Sequence, residues 1–338
     1  MMLIKQDISL KPYNTFGIDV KARYFAEIKN EQDLEELFMS REAKEEKLLI
    51  LGGGSNMLFT QDFNGLVVKM AIGGISYILN GNAIELTAGA GVVWNDLVMF
   101  CVTNNFAGLE NLTLIPGTVG ASPIQNIGAY GVELKDVFKQ CRVFEIATGQ
   151  FLTFTYEDCK FGYRDSVFKN EYKNKYIVTA VTFNLSTEAH LKTHYGAINA
   201  ELEAQEITKP TIADVSKAVA KIRVSKLPDP TTIGNAGSFF KNPVISKTQF
   251  NQLMVNFPDV VHFDMPDNQV KIAAGWLIEQ CGFKGIRDGH TGTWKNQALV
   301  LVNHGNATGQ EVYNFSEKII TEVYTKFGVC LEREVNVF

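Results

Sequence analysis

Arg164 has the residue type and the surroundings of a site that binds a negative charge. It stands among aromatic residues in the segment Phe161–Asp165. A guanidinium fork binds a carboxylate through two parallel hydrogen bonds. The alternative is a local ion pair with Asp165, which contributes little energy at a surface. The sequence leaves both interpretations open.

Two further segments carry groups suited to proton transfer and charge stabilisation. Ser238 lies between glycines and aromatics in Gly234–Phe240, a setting that predicts a dry pocket. Its hydroxyl keeps its proton at physiological pH and could act as an acid, although an ordinary turn serine fits the pattern as well. Glu332 and Glu334 alternate along a predicted strand and would project to one face, so their spacing does not decide which of them enters a site.

The segment Gly52–Asn56 reads Gly-Gly-Gly-Ser-Asn and follows a strand-like run directly. Consecutive backbone N–H groups in such a turn can bind an anion, and the alternative is a tight turn that needs positive φ. No Lys-Ser or Lys-Thr pair follows the glycines, which excludes a P-loop. The glycine spacing also disfavours a Rossmann domain. A second cluster, Gly89-Ala90-Gly91, precedes a predicted helix.

The segment Gly108–Leu134 is apolar, rich in glycine and nearly free of charge, yet it follows neither a helical nor a strand period. Its composition predicts a buried irregular backbone, whose polar groups need partners. A ligand can supply them, so this segment and the two glycine clusters predict three loops that cradle a long cofactor with central phosphates. The apolar residues expected to be buried are Leu112, Leu114, Ile115, Val119, Ile124 and Ile127.

The elements that position these residues are short strands and helices in alternation, which predicts α+β domains. A domain boundary is predicted at Leu227–Pro230, where two prolines stop a helix. Helices are predicted at Glu31–Lys47, Val93–Asn105, Ile212–Val224, Val270–Cys281 and Gln310–Lys326. Strands are predicted at Leu48–Leu51, Leu66–Lys69, Ser76–Leu79, Ile84–Ala88, Cys141–Ile146, Phe151–Phe154, Tyr176–Leu185, Ala298–Val302 and Val329–Phe338.

Composition narrows the class of protein. The 338 residues carry a net charge of -5 without a basic run, which argues against nucleic acid as a partner. Five scattered cysteines without a C-x-x-C pair indicate a reducing compartment. No signal peptide or membrane-spanning segment is predicted, so we expect a cytoplasmic protein. His190 and His194 lack the H-E-x-x-H arrangement, and no metal site is predicted.

Several strings together resemble the UDP-N-acetylenolpyruvoylglucosamine reductase (MurB) family, in its subclass with a tyrosine-bearing substrate loop. They cover essentially the whole chain and are Asn14–Gly17, Leu51–Asn56, Gly108–Leu134, Tyr163–Ser166, Gly234–Pro243, Lys271–Gly282 and Leu331–Val335. The resemblance implies a two-part FAD-binding unit of the PCMH/vanillyl-alcohol-oxidase-like type, with subdomains at 1–70 and 71–212. A smaller α+β substrate-binding domain would follow at 213–328. The strand 329–338 is expected to return to the first subdomain or to line the active site.

The resemblance also implies an oxidoreductase of peptidoglycan precursor synthesis, and hence a role in cell wall biogenesis, cell shape and cell division. NADPH would reduce FAD, and the hydride would then pass to the vinyl CH2 carbon of UDP-N-acetyl-3-O-(1-carboxyvinyl)-glucosamine, giving UDP-N-acetylmuramate. Ser238 would protonate the adjacent carbon, Arg164 would bind the substrate carboxylate, and Glu334 would share in the stabilisation. Arg333 stands where the family usually has proline, which we expect to affect the strand more than the chemistry.

Ligand contacts are implied in the same way. Tyr195 would lie on a mobile loop that closes over the substrate. The other implied substrate contacts are Tyr163, Lys226, Asn242 and Gln297. The implied FAD contacts are Gly52, Gly53, Gly54, Ser55, Asn56, Pro116, Gly117, Thr118, Ser122, Ile124, Gln125, Asn126, Ile127 and Gly128.

Two other classes remain as alternatives. One is a different non-covalent FAD oxidoreductase on the same fold, such as a sugar-alcohol oxidase. No histidine precedes His190, which excludes a histidyl-linked flavin in the cofactor domain. The other is a nucleotide-binding module without catalysis, which the joint presence of Arg164, Ser238 and Glu334 disfavours. The oligomeric state stays open, with a monomer favoured, and the expected partners are the UDP-sugar substrate and NADPH, without nucleic acid or membrane.

Overall fold

The computed structural model describes residues 3–195 and 197–338, and the chain divides into two compact units. The first comprises Met1–Ile8, Ala22–Gly53 and Asn64–Arg223, and the second comprises Ser9–Lys21, Gly54–Phe63 and Val224–Phe338. The predicted boundary at Leu227–Pro230 lies close to the last change of unit. The finer division at residues 70 and 212 stays a prediction.

The described residues form twenty strands and nine α-helices. The strands are β1 Ile4–Ser9, β2 Lys21–Ile28, β3 Leu48–Leu51, β4 Met57–Leu58, β5 Phe63–Met70, β6 Ile75–Asn80, β7 Ala83–Gly89, β8 Gly128–Ala129, β9 Val132–Glu133, β10 Phe138–Glu145, β11 Phe151–Thr155, β12 Tyr176–Ser186, β13 Gly234–Ser238, β14 Val244–Ser246, β15 His262–Met265, β16 Gln269–Ile272, β17 Arg287–Asp288, β18 Thr291–Trp294, β19 Gln297–Asn303 and β20 Asn336–Val337. The helices are α1 Glu31–Met39, α2 Arg41–Glu45, α3 Trp94–Thr103, α4 Tyr156–Cys159, α5 Ile198–Ala204, α6 Ile212–Lys226, α7 Lys247–Asn256, α8 Ala274–Gln280 and α9 Gly309–Phe327.

The first unit is built around two sheets. A four-stranded sheet has the order β1-β2-β5-β3, with β3 and β5 parallel. Its apolar residues share a core with Leu34 and Leu37 of α1. A five-stranded antiparallel sheet has the order β11-β10-β12-β7-β6, and α3 buries Trp94 and Leu97 in its core. The unit is therefore two layered α+β parts, as predicted.

The helix predicted at Glu31–Lys47 is interrupted at Ser40. Ser40 has extended backbone, and its side chain accepts a hydrogen bond from the N–H of Ala43 as the N-cap of α2. A serine that caps a new helix competes with continuation of the old one. The sequence pattern therefore located the helical region correctly and missed the break.

The second unit holds the sheet β13-β19-β18-β17, the sheet β14-β16-β15 and the parallel pair β4-β20. Helices α8 and α9 pack against β19. A capping box between Thr308 and Glu311 begins α9, and Gly328 ends it in the left-handed conformation at φ 64°. Glycine lacks a Cβ and adopts this conformation without steric cost. The prediction that the helix ends at Gly328 is confirmed.

Two predictions for the second unit are wrong. The helix predicted at Val270–Cys281 begins only at Ala274, because Gln269–Ile272 pairs with strands on both sides as β16. The strand predicted at Val329–Phe338 is reduced to Asn336–Val337 and an isolated bridge at Arg333. In the first place pairing with β14 and β15 overrides the helical pattern, and in the second most of the segment finds no strand to pair with among the described residues.

Within residues 3–195 and 197–338, no helix combines the length and the apolar character needed to cross a membrane.

Candidate cofactor and substrate site

In the first unit, two of the predicted loops touch through bare backbone. A Cβ on Gly53 would lie 2.7 Å from the Cα of Gly117, and a Cβ on Gly52 would lie 2.7 Å from Thr118 Oγ1. Gly117 also has a φ of 112°, which L side chains rarely adopt. Glycine is therefore required at these positions by close approach and by backbone conformation.

The third loop joins the same cluster. A Cβ on Gly120 would lie 2.5 Å from that of Ala90. The N–H of Gly120 donates to the carbonyl of Ala90 at 2.9 Å, and the N–H of Trp94 donates to the carbonyl of Gly117 at 3.0 Å. The three backbone-exposing loops expected from the sequence thus meet within one unit.

Thr118 gives the test of whether this cluster fits a ligand. Its Oγ1 is buried and has no hydrogen-bond partner among the described residues. A buried hydroxyl without a partner costs about 1–3 kcal/mol, and a polar group of a bound dinucleotide would remove that cost. The residues of the cradle therefore fit a phosphate-bearing cofactor.

Burial along Gly108–Leu134 agrees with the prediction except at one residue. Leu112, Val119 and Ile127 are buried, and Ile115 and Ile124 are half-buried. Leu114 is 37% exposed, so its predicted burial is wrong. Its φ of 58° marks a left-handed turn, and its N–H is held by Asn95 Oδ1 at 2.8 Å. The backbone reverses locally at a residue with positive φ, so the exposure of Leu114 differs from that of its neighbours.

The cradle holds the turn that carries Arg164. The turn is closed by hydrogen bonds between Gly162 and Asp165 in both directions. The fully buried Asn126 donates to the carbonyl of Gly162 at 2.9 Å. Ser166 Oγ donates to the carbonyl of Ile124 at 2.7 Å. Two predicted FAD contacts, Asn126 and Ile124, therefore fix the position of a predicted catalytic residue.

Arg164 itself is half-buried with a φ of 53°. The Asp165 carboxylate accepts hydrogen bonds from Asn170 Nδ2 at 3.0 and 2.9 Å. Lys169 Nζ donates to the Arg164 carbonyl at 3.0 Å. The neighbouring carboxylate is thus held by an amide, and the role of Arg164 stays a prediction.

The two predicted tyrosine contacts lie in the first unit and are exposed. Tyr163 is 48% and Tyr195 is 57% exposed. Gly131, with a φ of 78°, leaves room for Tyr195, because a Cβ there would lie 3.0 Å from the tyrosine Cβ. The roles of both tyrosines toward a substrate stay predictions. The other predicted FAD contacts of this segment are exposed Pro116, buried Ser122 and half-buried Gln125 and Gly128.

Arg223 is a residue that sequence reasoning missed. Burial lowers the pKa of its guanidinium; Tyr130 raises it and the positive charge of Arg164 lowers it again. Burial likewise raises the pKa of the Tyr130 hydroxyl. Helix α6 buries Val215 and Val219 on one face, and Arg223 continues that face at helical spacing. The sequence signal that could have identified Arg223 is its positive charge on the apolar face of α6.

In the second unit, Ser238 and Glu334 lie on neighbouring segments. The N–H of Glu334 donates to the carbonyl of Phe239 at 2.8 Å. Phe239 and Phe240 are buried, whereas Ser238 is exposed, so the dry pocket predicted for it is absent. Gly237, with a φ of 68°, turns the strand directly before the exposed serine.

The two candidate glutamates have different environments. The Glu332 side chain is 72% exposed and forms an ion pair with Lys241 at 2.9 Å. Glu334 is half-buried. Its backbone is held on both sides, because its carbonyl also accepts from Asn56 Nδ2 at 3.3 Å. The geometry favours Glu334 as the site residue, and its catalytic role stays a prediction.

The second half of the glycine turn belongs to this unit. Gly54 has a φ of 65°, and a Cβ there would lie 1.9 Å from the carbonyl oxygen of Tyr13. The N–H of Thr15 donates to the carbonyl of Gly54 at 3.1 Å. Ser55 and Asn56 are half-buried beside it. The turn therefore needs glycine for its conformation as well as for any anion that it binds.

Two predicted substrate contacts meet at the beginning of α8. Asn242 Oδ1 accepts from the N–H of Ala274 at 3.0 Å. A Cβ on Gly275 would lie 3.0 Å from Gln297 Oε1. Lys226 is exposed at the end of α6. Asn242 and Gln297 thus both lie beside the beginning of α8, where Asn242 accepts from the helix N-terminus and Gln297 Oε1 accepts from the N–H of Leu299 at 3.3 Å.

The comparisons with known proteins agree with this geometry. Residues 22–155 match the FAD binding domain family. Residues 229–338 match the C-terminal domain of UDP-N-acetylenolpyruvoylglucosamine reductase. The crystal structure of UDP-N-acetylenolpyruvylglucosamine reductase from Thermus caldophilus has a TM-score of 0.69 and 24% identity over 100% of both chains. The predicted α+β fold, with an FAD-binding domain followed by a smaller C-terminal domain, is confirmed.

Curated relatives extend the match over the whole chain. The UDP-N-acetylenolpyruvoylglucosamine reductase of Flavobacterium johnsoniae is 49% identical over 99% of this chain and 100% of its own. That of Pseudomonas fluorescens is 47% identical over 98% of each. Fold and cradle define the class as an α+β FAD-dependent oxidoreductase. Within that class, the chain belongs to the UDP-N-acetylenolpyruvoylglucosamine reductase family.

Proposed function

We propose that the protein reduces the enolpyruvyl ether of UDP-N-acetylglucosamine to UDP-N-acetylmuramate, with NADPH as the reductant. The observation that carries the proposal is 49% identity over 99% of the chain to a reductase of that name. The joint presence of Arg164, Ser238 and Glu334 supports a working enzyme rather than a binding module.

The cradle around Gly53, Gly117 and Thr118 would hold FAD without a covalent bond. When bound, FAD supplies the hydride that NADPH delivers to the enzyme. Backbone N–H groups of glycine-rich turns suit the cofactor's phosphates. The buried Thr118 Oγ1 offers one further hydrogen bond to a polar group. The cradle contributes position and electrostatics, and the reacting side chains lie elsewhere in the sequence.

Arg164 and Glu334 would stabilise the substrate as negative charge develops on it. Hydride addition to the vinyl CH2 carbon leaves an enolate conjugated to the carboxylate. A guanidinium bound to that carboxylate stabilises the enolate more than the ground state. The half-buried Glu334 would share in this stabilisation, and its backbone is held by Phe239 and Asn56.

Ser238 would complete the reaction by donating its hydroxyl proton to the carbon next to the carboxylate. A serine hydroxyl stays protonated at neutral pH, so the donor is always loaded. Tyr163, Tyr195, Lys226, Asn242 and Gln297 would bind the anionic UDP-sugar, with Tyr195 on the loop that closes over it.

The second candidate is another non-covalent FAD oxidoreductase on the same fold. Both candidates bind FAD, and they differ in the oxidant that accepts the hydride. The test is consumption of NADPH by the purified holoenzyme with and without the UDP-enolpyruvyl sugar, followed at the absorbance of NADPH. We expect consumption to require the sugar. Equal consumption without it, with oxygen as the acceptor, would favour the second candidate.

A cytoplasmic location and a monomeric state are further parts of the proposal. All five cysteines are free, and Cys101, Cys141 and Cys159 are buried. Burial raises the pKa of the Cys101 thiol to about 12, which keeps it unreactive. Free thiols in this number are usual in a reducing compartment.

A further inference from the structure

The side chain of Arg333 joins the segment that carries Glu334 to helix α9. Its Nε donates to Ser316 Oγ at 2.8 Å, and its guanidinium contacts Glu317 Oε1 at 2.6 Å. Its Cζ lies 4.4 Å from the centroid of the Tyr313 ring. Only 18% of the side chain is exposed. Three neighbouring groups of one helix therefore hold one guanidinium.

The helical side of this contact is rigid. Ser316 is fully buried, and its hydroxyl donates to the carbonyl of Tyr313 at 2.6 Å. Val312 and Ile319, on the same helix, are fully buried as well. A helix of nineteen residues with caps at both ends and an apolar buried face moves little. Arg333 is thus attached to a fixed support.

A short run of backbone hydrogen bonds joins the residues on either side of Arg333 to the neighbouring segment. The N–H of Lys241 donates to the carbonyl of Glu332 at 2.9 Å, and that of Glu334 donates to Phe239 at 2.8 Å. These two bonds flank a single isolated bridge between Phe240 and Arg333. Asn56 Nδ2 also donates to the carbonyl of Glu334 at 3.3 Å. The side chain of Arg333 adds the contact that joins this segment to α9.

We propose that Arg333 is a positioning residue for Glu334. Its guanidinium fixes the register of Leu331–Val335 against Ser238–Lys241, and thereby sets where the Glu334 carboxylate lies. The inference rests on the proposed role of Glu334. Catalytic groups need placement to within about 0.5 Å, and the contact of Arg333 with α9 adds a fixed side-chain anchor next to Glu334. Arg333 itself touches no reacting atom in this arrangement.

The test compares Arg333→Gln and Arg333→Lys with Glu332→Gln in the FAD-loaded protein. Glu332→Gln is the matched control, because it removes an exposed ion pair of the same segment and leaves the contact with α9 intact. Stopped-flow absorbance follows reduction of the enzyme by NADPH and its reoxidation by the UDP-enolpyruvyl sugar separately. Amide hydrogen exchange of residues 331–335 and the melting temperature are measured on the same samples.

For Arg333→Gln we expect reoxidation by the sugar to slow about 10- to 100-fold, the effect of a misplacement near 1 Å. Reduction by NADPH should stay within about twofold, and the amide of Glu334 should exchange faster. Arg333→Lys should lie between Arg333→Gln and wild type, because an ammonium keeps the charge and loses the fork. The control should match wild type in all readouts.

A role limited to stability predicts a different result. Arg333→Gln would then lower the melting temperature and leave both half-reactions and the Glu334 amide unchanged, and the proposal would be overturned. If Arg333→Gln fails to fold, Glu317→Gln weakens the same contact and is judged by the same criteria. If the wild type does not reoxidise with the sugar, the proposed function fails, while hydrogen exchange still decides whether Arg333 orders the segment.

Discussion

At the scale of single residues, Thr118 connects the fold to the cofactor. Its hydroxyl is buried without a partner, so Thr118→Val removes nothing that the protein alone uses. We expect the melting temperature of the apoprotein to stay the same or rise. FAD should bind about 5- to 10-fold more weakly, the equivalent of one lost hydrogen bond of about 1 kcal/mol. Titration of the apoprotein with FAD, followed by flavin fluorescence, measures the Kd.

Thr113→Val is the control for this prediction. Thr113 Oγ1 contacts the carbonyl of Glu110 at 2.7 Å and Ser216 Oγ at 2.8 Å. Its loss should lower the stability of the protein by about 1 kcal/mol and leave FAD affinity unchanged. If Thr118→Val also lowered stability without affecting the Kd, Thr118 would have a partner in the protein.

Ser238→Ala separates proton donation from hydride delivery to the enzyme. Reduction by NADPH should remain nearly intact, because it needs no proton from Ser238. Reaction with the UDP-enolpyruvyl sugar should fall by orders of magnitude, since a transition-state interaction is lost. Single-turnover absorbance traces measure both. Equal losses in the two half-reactions would contradict the proton-donor role.

The sequence predicted which residues form the site better than it predicted their burial and their contacts. Arg164 and Ser238 stand out by their neighbours, yet only the structure shows that Glu332 is engaged by Lys241. Arg223 was missed, although its charge on the apolar face of α6 was a usable signal. The exposure of Leu114 depends on a positive φ, which nothing in its side chain indicates.

At the scale of elements, the contact between the glycine loops can be tested directly. Gly53→Ala places a methyl group 2.7 Å from the Cα of Gly117. Because backbone cannot move aside cheaply, we expect a loss of about 1–3 kcal/mol in unfolding free energy and a lower FAD content after purification. Urea unfolding and the ratio of flavin to protein absorbance measure the two effects.

Gly73→Ala is the matched control, since a Cβ at Gly73 meets nothing within 4 Å. It should leave stability within about 0.5 kcal/mol of wild type and FAD content unchanged. Equal behaviour of Gly53→Ala and Gly73→Ala would mean that the loops separate without cost.

The contact between Arg333 and α9 should depend on pH. The hydrogen bond from Arg333, followed by one from Tyr313, lowers the pKa of Glu317 from its ordinary value of 4.5. A depressed pKa stabilises the folded state above the ordinary value, and the stabilisation is lost as the pH falls through the depressed value. The melting temperatures of wild type and Glu317→Gln should therefore differ most above pH 4.5, and the difference should shrink as the pH falls through the depressed pKa of Glu317. A difference that persists unchanged in acid would contradict this assignment.

Element boundaries were predictable where caps are local. Thr308 and Gly328 delimit α9 by the chemistry of their own side chains and backbones. The pairing of β16 was not predictable, because the residues that it pairs with lie in β14 and β15 rather than in its own periodicity. The break at Ser40 was partly predictable, because serine is a common N-cap residue but indicates a cap only where a second helix follows.

At the scale of the whole molecule, we predict a yellow protein whose colour is released intact on denaturation. A non-covalent flavin leaves the unfolded chain, because nothing but the folded cradle holds it. Acid precipitation followed by absorbance of the supernatant measures the release, and the apoprotein should regain colour with added FAD. Colour that stays with the precipitate would indicate a covalent link, and a colourless protein that does not bind FAD would refute the cofactor assignment.

The α+β class and the change of unit near Leu227–Pro230 were within reach of the sequence. The composition of the two units was not, because each collects three separate stretches of chain. Pairings such as that between Met57 and Asn336 have no local signature. The sequence pattern indicates which residues are buried, but it does not indicate which distant residues they pack against.

The parallel pair β4-β20 has a consequence during synthesis on the ribosome. Thr60 donates to the carbonyl of Phe338, a residue 278 positions further along the chain. At roughly 5–20 residues per second, the β4 segment emerges roughly 15–55 s before its partner exists. During that interval Met57 and Leu58, buried in the finished protein, are exposed on a nascent chain. The second unit is therefore completed only after Asn336–Phe338 has been synthesised and can pair with β4.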